Sequence, residues 1–236
     1  MVKINCIGGI GDILFCEPIF KHFMDITGKA PLVYIHPHML WIQDYIYSAK
    51  FTGEPVPDEF KTGSMVHTDE LINLRYANQI YRKLNPHDHS DLENMMLDKY
   101  RLLGLSDTLW KSLKIHFNQS KGAALARELG VSLLDEYTLR NEYCQVGKID
   151  IPLNKNKTVV DMRIVAGYNM LDWYLLHAQA DGIHTVSTST FFLMQALCAL
   201  PSPWFSPEVY VYPRPNEDGL RGISQLKPDF QLILKP

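Results

Sequence analysis

Long apolar runs are missing from this sequence: none approaches the ~20 residues needed to cross a bilayer. Residues 2–7, Val-Lys-Ile-Asn-Cys-Ile, already form a strand pattern, which leaves no room for a basic stretch followed by an apolar signal core. The expectation is a cytosolic protein without a membrane span. Positive charge is scarce as well. The net charge is −3 and charged residues make up 21%, so no general affinity for phosphate backbones or anionic membranes is advertised, although a local basic patch stays open. Only four cysteines occur, Cys6, Cys16, Cys144 and Cys198, with no C-x-x-C spacing. That argues against a disulfide scaffold and for buried free thiols in a reducing compartment. Internal repeats and low-complexity stretches are also lacking.

What is present is a core. Hydrophobic residues are 46% of 236, enough for one large domain or two small ones. The chain opens as strand, glycine turn and helix: residues 2–7, 8–12 and 13–24, the helix ending at Gly28 before a second strand at 31–36. A helix between two strands implies parallel pairing. Residues 41–63 read as mixed text with loop prolines, 64–74 as a strand, 76–84 as a short helix and 92–103 as a helix closed by Gly104. A second half begins near Lys111. It holds a helix at 120–129, strands at 136–141 and 158–163, a helix at 169–178, a strand at 182–186 and a helix at 190–200. The proline-rich remainder from Pro201 is expected to fold back over the surface. Strands alternating with helices predict an α/β protein of two Rossmann-like halves, about 1–112 and 113–236, with a ligand cleft between them.

Two turns carry candidate chemistry. In the first, Gly8-Gly9-Ile10-Gly11-Asp12, glycines permit close backbone approach and the helix amino end attracts an anion. Asp12 there suits either a simple helix cap or a general base. The third glycine of a G-x-G-x-x-G spacing is missing, so the turn is a poor dinucleotide fingerprint, and a Rossmann dehydrogenase is the least favoured function. In the second, a buried strand runs into Ser187-Thr188-Ser189-Thr190 at a helix start, which is either a Ser/Thr cap or a cradle for phosphate or ribose. Two such turns in one chain favour a ligand that touches both. His36 and His38, and His87 and His89, are metal-ligand types in turns without a third partner and read as solvated loops, so no metal is assigned. Arg214 and Arg221 are candidates to close over a diphosphate, with surface solubility as the plainer reading. Tyr34, Trp41, Tyr45, Tyr47 and Tyr81 offer stacking surface, although core packing accounts for them more simply.

Residues 8–18, Gly-Gly-Ile-Gly-Asp-Ile-Leu-Phe-Cys-Glu-Pro, resemble the G-D-x-L-x-x-x-P opening of the heptosyltransferase-like glycosyltransferases, which have the GT-B fold. Residues 187–197 fall where that family has D-S-G-x-x-H-L-A-A-A-L, the segment that holds the nucleotide-sugar diphosphate. The chain departs there: Ser187 stands at the family's Asp, Ser189 at its Gly and Phe192 at its His, and the phosphate-binding Lys has no counterpart. Leu171-Asp172-Trp173, with residues 180–184 and 187–190, is also similar to small glycosyltransferase-like proteins of viruses and phages.

The resemblance implies a compact GT-B-like, metal-independent glycosyltransferase with a nucleotide sugar as co-substrate and no further cofactor. Asp12 would be the acceptor-activating base, with Gly9, Gly11, Ser187, Thr188, Ser189, Thr190 and Arg214 around the donor. The acceptor is left open, DNA included. The alternatives are a phage-like enzyme that modifies DNA bases, which requires a basic face, and a nucleotide-binding module without turnover.

Overall fold

The computed structural model describes residues 1–61, 70–86, 96–144, 147–153, 157–186, 189–200, 207–214 and 226–235. The chain divides into two compact units, Met1–His116 and Phe117–Pro236.

The first unit is built on a four-stranded parallel sheet of β1 (Lys3–Asn5), β2 (Leu32–Tyr34), β3 (Lys50–Thr52) and β4 (Leu71–Asn73), in the order β3-β2-β1-β4. Helix α1 (Ile10–Thr27) links β1 to β2, and Ile4 lies in register with Val33 on one side and Ile72 on the other. α1 is longer than the sequence pattern predicts, because its start is fixed by the glycine turn and not by the first apolar residue. From Ile13 to Phe20 every residue is buried, Glu17 included, so the helix is covered on several sides, and the Glu17 carboxylate accepts from the Ser48 hydroxyl and the Lys114 N–H. Phe15 meets the Tyr100 ring edge-on at 5.1 Å and stacks on Trp110 at 5.9 Å. Gly28 closes α1 with φ of 68°, the left-handed conformation that glycine adopts without a Cβ penalty. Short helices α2 (Asp58–Lys61), α3 (Ala77–Leu84) and α4 (Asp98–Arg101) and 3-10 turns at Pro37–Asp44, Leu74–Tyr76 and Leu109–Ser112 also belong to the unit. Residues 92–95 of the expected 92–103 helix lie outside the described residues, as do 64–69 of the expected 64–74 strand. The 41–63 stretch contains β3, which the sequence reading missed.

The second unit carries a five-stranded parallel sheet of β5 (Thr138–Asn141), β8 (Val159–Asp161), β9 (Gly182–Val186), β10 (Glu208–Tyr212) and β11 (Leu232–Leu234), in the order β11-β10-β9-β5-β8. A small antiparallel pair, β6 (Tyr143–Cys144) and β7 (Gly147–Lys148), follows β5. The helices are α5 (Gln119–Glu128), α6 (Tyr174–Gln179) and α7 (Thr190–Cys198). The surface cover expected after Pro201 is a correction. β10 and β11 are sheet strands, with Val209 and Val211 fully buried, and they supply two of the five strands. The thiol expectation also needs amending: all four cysteines are free, but only Cys6 and Cys16 are buried, Cys144 and Cys198 being partly exposed.

Strand order places one reversal in each sheet. In the first unit the chain runs outward from β1 to β2 and β3, then returns to the far side of β1 for β4. In the second it runs from β5 to β8, then returns to the far side of β5 for β9. Open parallel sheets bind ligands at the carboxyl ends of the strands that flank such a reversal. Those ends are Asn5 with Asn73, and Asn141 with Val186.

Candidate functional site

The glycine turn leaves β1 at the first reversal. Gly9 is the N-cap of α1, in extended conformation, and has no side chain to cap the helix. Asp12, at the third helical position, folds back instead and its Oδ2 accepts the Gly9 N–H at 3.0 Å, the acidic half of a capping box. Gly8 makes this possible: a Cβ there would lie 2.7 Å from Asp12 Oδ2 and 2.9 Å from its Cγ. Gly11 sits half-buried in the first turn of α1.

The other oxygen of Asp12, Oδ1, accepts from the Lys99 ammonium at 2.5 Å. The Lys99 side chain is only 9% exposed, against 36% for Asp12. Burial opposes the Lys99 charge, but electrostatic interaction with Cys16, Asp12 and Cys6 outweighs burial and holds its pKa above the ordinary lysine range. The neighbouring Cys16 and burial push the Cys6 thiol well up, and its Sγ makes a long contact, 4.0 Å, to the Asp12 carbonyl. Asp12 and Lys99 line a cavity of about 240 Å³ with Cys6, Gly8, Arg75 and Asn78 in its wall. This is smaller than the roughly 300–1,000 Å³ of sites for drug-sized ligands. One ring of a larger ligand fits it better than a whole nucleotide sugar.

Lys99 is the residue that sequence reasoning missed. It arrives on α4, which is fixed against α1 by the Tyr100 hydroxyl donating to the Phe15 carbonyl and braced locally by Arg101, which reaches Asp107 at 2.8 Å and Asp98 at 3.3 Å. The only signal in the sequence was a lysine among the apolar positions of a predicted helix, and nothing local links it to a residue 87 positions away.

At the second reversal Ser187 and Thr188 lie outside the described residues. Ser189 precedes α7 in a helical conformation and its hydroxyl donates to Met170 Sδ at 3.0 Å. Thr190 is 3% exposed. Its hydroxyl lies 3.2 Å from Asn141 Nδ2 and 3.3 Å from Thr185 Oγ1, and Asn141 also donates to Thr185 at 3.1 Å. This hydroxyl therefore faces the interior, joining the carboxyl ends of β5 and β9 to the start of α7. Phe192 is buried in the same helix. Arg214 follows β10 and is half-buried, while Arg221 lies outside the described residues.

Other sequence candidates are structural where they are described. Asp172 is fully buried, accepts the Asn169 N–H at 2.9 Å and pairs with Lys121 at 3.2 Å, so it caps a short helical turn. Tyr34 and Tyr45 belong to the core, and exposed Tyr47 stacks on His116 at 4.1 Å. His36 and His38 stack on each other at 5.5 Å, and no three metal-ligating side chains converge among the described residues. His87 and His89 lie outside them.

No family model matches the sequence, and no curated protein matches it. Solved structures do. A glycosyl transferase family 9 protein from Veillonella parvula is similar over 100% of this chain and 87% of its own, with a TM-score of 0.60 at 10% identity. The ADP-heptose LPS heptosyltransferase II of E. coli is similar over 99% of this chain and 90% of its own, with a TM-score of 0.50 at 9% identity. The fold is that of the GT-B glycosyltransferases. In this GT-B chain each of the two turns singled out by sequence lies at a strand reversal of its own sheet. At the first stands a carboxylate beside a cavity; at the second, an inward hydroxyl cluster under the amino end of α7.

Proposed function

We propose that the chain transfers a sugar from a nucleotide-sugar donor to a hydroxyl acceptor, with Asp12 as the base. The observation that carries this reading is the Asp12 carboxylate, held at one oxygen by Gly9 N–H and at the other by Lys99, in the wall of a cavity at the reversal of the first sheet. A carboxylate has about four acceptor positions, and these two contacts leave lone pairs for an acceptor hydroxyl. The acceptor is assigned to the first unit, Met1–His116, and the donor to the second, Phe117–Pro236. Proton removal and attack are concerted: the acceptor O–H breaks as its oxygen bonds the anomeric carbon, the proton passes to Asp12, and the nucleoside diphosphate leaves with the electron pair.

The leaving diphosphate is assigned to the turn before α7 and to Arg214. Backbone N–H groups at a helix start, the helix dipole and a guanidinium stabilise the charge without a metal. With Thr190 turned inward, the contribution of this turn comes from its backbone, Ser187, Thr188 and Ser189. Thr190 instead holds α7 in place. The reaction requires no cofactor beyond the nucleotide sugar, and a cytoplasmic location suits such a donor.

One observation favours a second reading. The inward Thr190 hydroxyl and buried Phe192 leave the second turn with fewer side chains for a donor, as in a nucleotide-binding module without turnover. The two readings separate in a panel of ADP-, UDP- and GDP-linked sugars, ADP-heptose included, followed by melting temperature and by release of nucleoside diphosphate. Stabilisation together with release from one donor class supports transfer. Stabilisation without release supports the binding module, and neither response to any donor contradicts both.

A further inference from the structure

We propose that Lys99 is the positioning residue of Asp12, fixing the plane of the carboxylate that takes the acceptor proton; this rests on the reading of Asp12 as the base. Asp12 has two anchors, and they differ in kind. The Gly9 N–H at 3.0 Å is a backbone donor that any helix start of this shape provides. On its own it holds one oxygen and leaves the carboxylate free to turn about its last torsion, which is soft for aspartate. The Lys99 ammonium at 2.5 Å holds the second oxygen, and with both held the carboxylate has one orientation.

The anchor is itself immobile. A lysine usually brings its charge to the surface on a flexible stem, but here the side chain is 91% covered and stands on a helix held to α1 by the Tyr100 hydroxyl on the Phe15 carbonyl and to α3 by Arg82 against Asp98 at 3.7 Å. Phe15 lies one turn along α1 from Asp12, so the same helix carries the base and receives the pin. A buried ammonium is costly unless paired, and its pairing at a cavity wall, where an acceptor reaches the carboxylate, is what a purely structural ion pair has no need of. With its pKa held above the ordinary lysine range, Lys99 enters the reaction already protonated and has no lone pair to accept with. The acceptor proton therefore ends on Asp12.

The test is a double-mutant cycle on release of nucleoside diphosphate from whichever ADP-, UDP- or GDP-linked sugar the parent turns over. Lys99→Met keeps the stem and removes the charge; Lys99→Arg keeps the charge. A misplacement of about 1 Å costs on the order of 10²-fold in rate. In Lys99→Met, kcat per folded molecule is expected to fall 10- to 100-fold with the donor KM unchanged. Lys99→Arg is expected to recover part of that loss. The double variant with Asp12→Asn is expected to be no slower than Asp12→Asn alone, because Lys99 acts only through Asp12. If Lys99→Met melts lower but its folded fraction turns over within twofold of the parent, or if the losses in the double variant multiply, the proposal is overturned. Should Lys99→Met not fold, Lys99→Arg gives the readout: a kcat between those of the parent and Asp12→Asn with donor KM unchanged supports the proposal, and a kcat equal to the parent's overturns it. Full turnover by Asp12→Asn, or none by the parent, overturns the base reading itself.

Discussion

A single carboxylate has two surroundings in the first turn. Asp12 closes the amino end of α1 through Gly9 and stands open to a cavity beside Lys99. The two roles share one geometry, which is why a sequence could raise both and separate neither. His177 shows the other face of residue-scale chemistry. It is fully buried in α6, with Nδ1 2.9 Å from the Trp173 carbonyl, and burial lowers its pKa from about 6.5 to about 4. Its folded pKa is depressed, so between those values the unfolded chain binds a proton that the folded chain does not. Stability is full above pH 6.5 and falls as pH drops toward 4, by about 3 kcal/mol at most from this group. Half-buried His184, its pKa also lowered to about 4 by burial and by Lys235, acts in the same direction. Urea unfolding of the second unit at pH 7 and pH 5 is expected to show the loss, and His177→Gln to flatten it. An unchanged pH slope in that variant would contradict the assignment.

At the scale of elements, what was legible was what is local. The Gly28 stop, the strand at 182–186 and the helix starts near 119 and 190 follow from caps and apolar spacing within a few residues. β10 was missed although Glu208-Val-Tyr-Val-Tyr212 alternates cleanly between buried valines and half-exposed tyrosines. The prolines before it suggested loop, and a five-residue strand is recognised only by the neighbours it pairs with, β9 and β11. β3 pairs only with β2, at the edge of its sheet, and gives even less signal. The cluster of Asn141, Thr185 and Thr190 ties three such elements together. Thr190→Val keeps the shape and removes an acceptor from a buried amide, so a loss of about 1–3 kcal/mol is expected from the second unit. Chemical denaturation checks it. A neutral result would mean that the hydroxyl is not needed to seat α7, and would free it for a ligand.

For the whole molecule, the two turns read from the sequence have the same place in their own sheets, each where the strand order reverses. Fold class was readable because alternation of strand and helix survives where identity has fallen to 9–10%. The ion pair at the heart of the site was not, because Lys99 and Asp12 meet only through tertiary packing of α4 on α1. That pairing also changes what a substitution at Asp12 should do. A cap alone would let Asn replace Asp at little cost. With Lys99 buried beside it, Asp12→Asn leaves an ammonium short of its counter-charge, and some stability is lost. The deciding measurement is therefore turnover per folded molecule, nucleoside diphosphate release by Asp12→Asn corrected for the fraction folded at the assay temperature. A fall of roughly 10²–10⁴-fold with donor binding retained is the result expected of a lost base. A folded fraction that turns over within a few fold of the parent would contradict the account and leave Asp12 as the cap of α1.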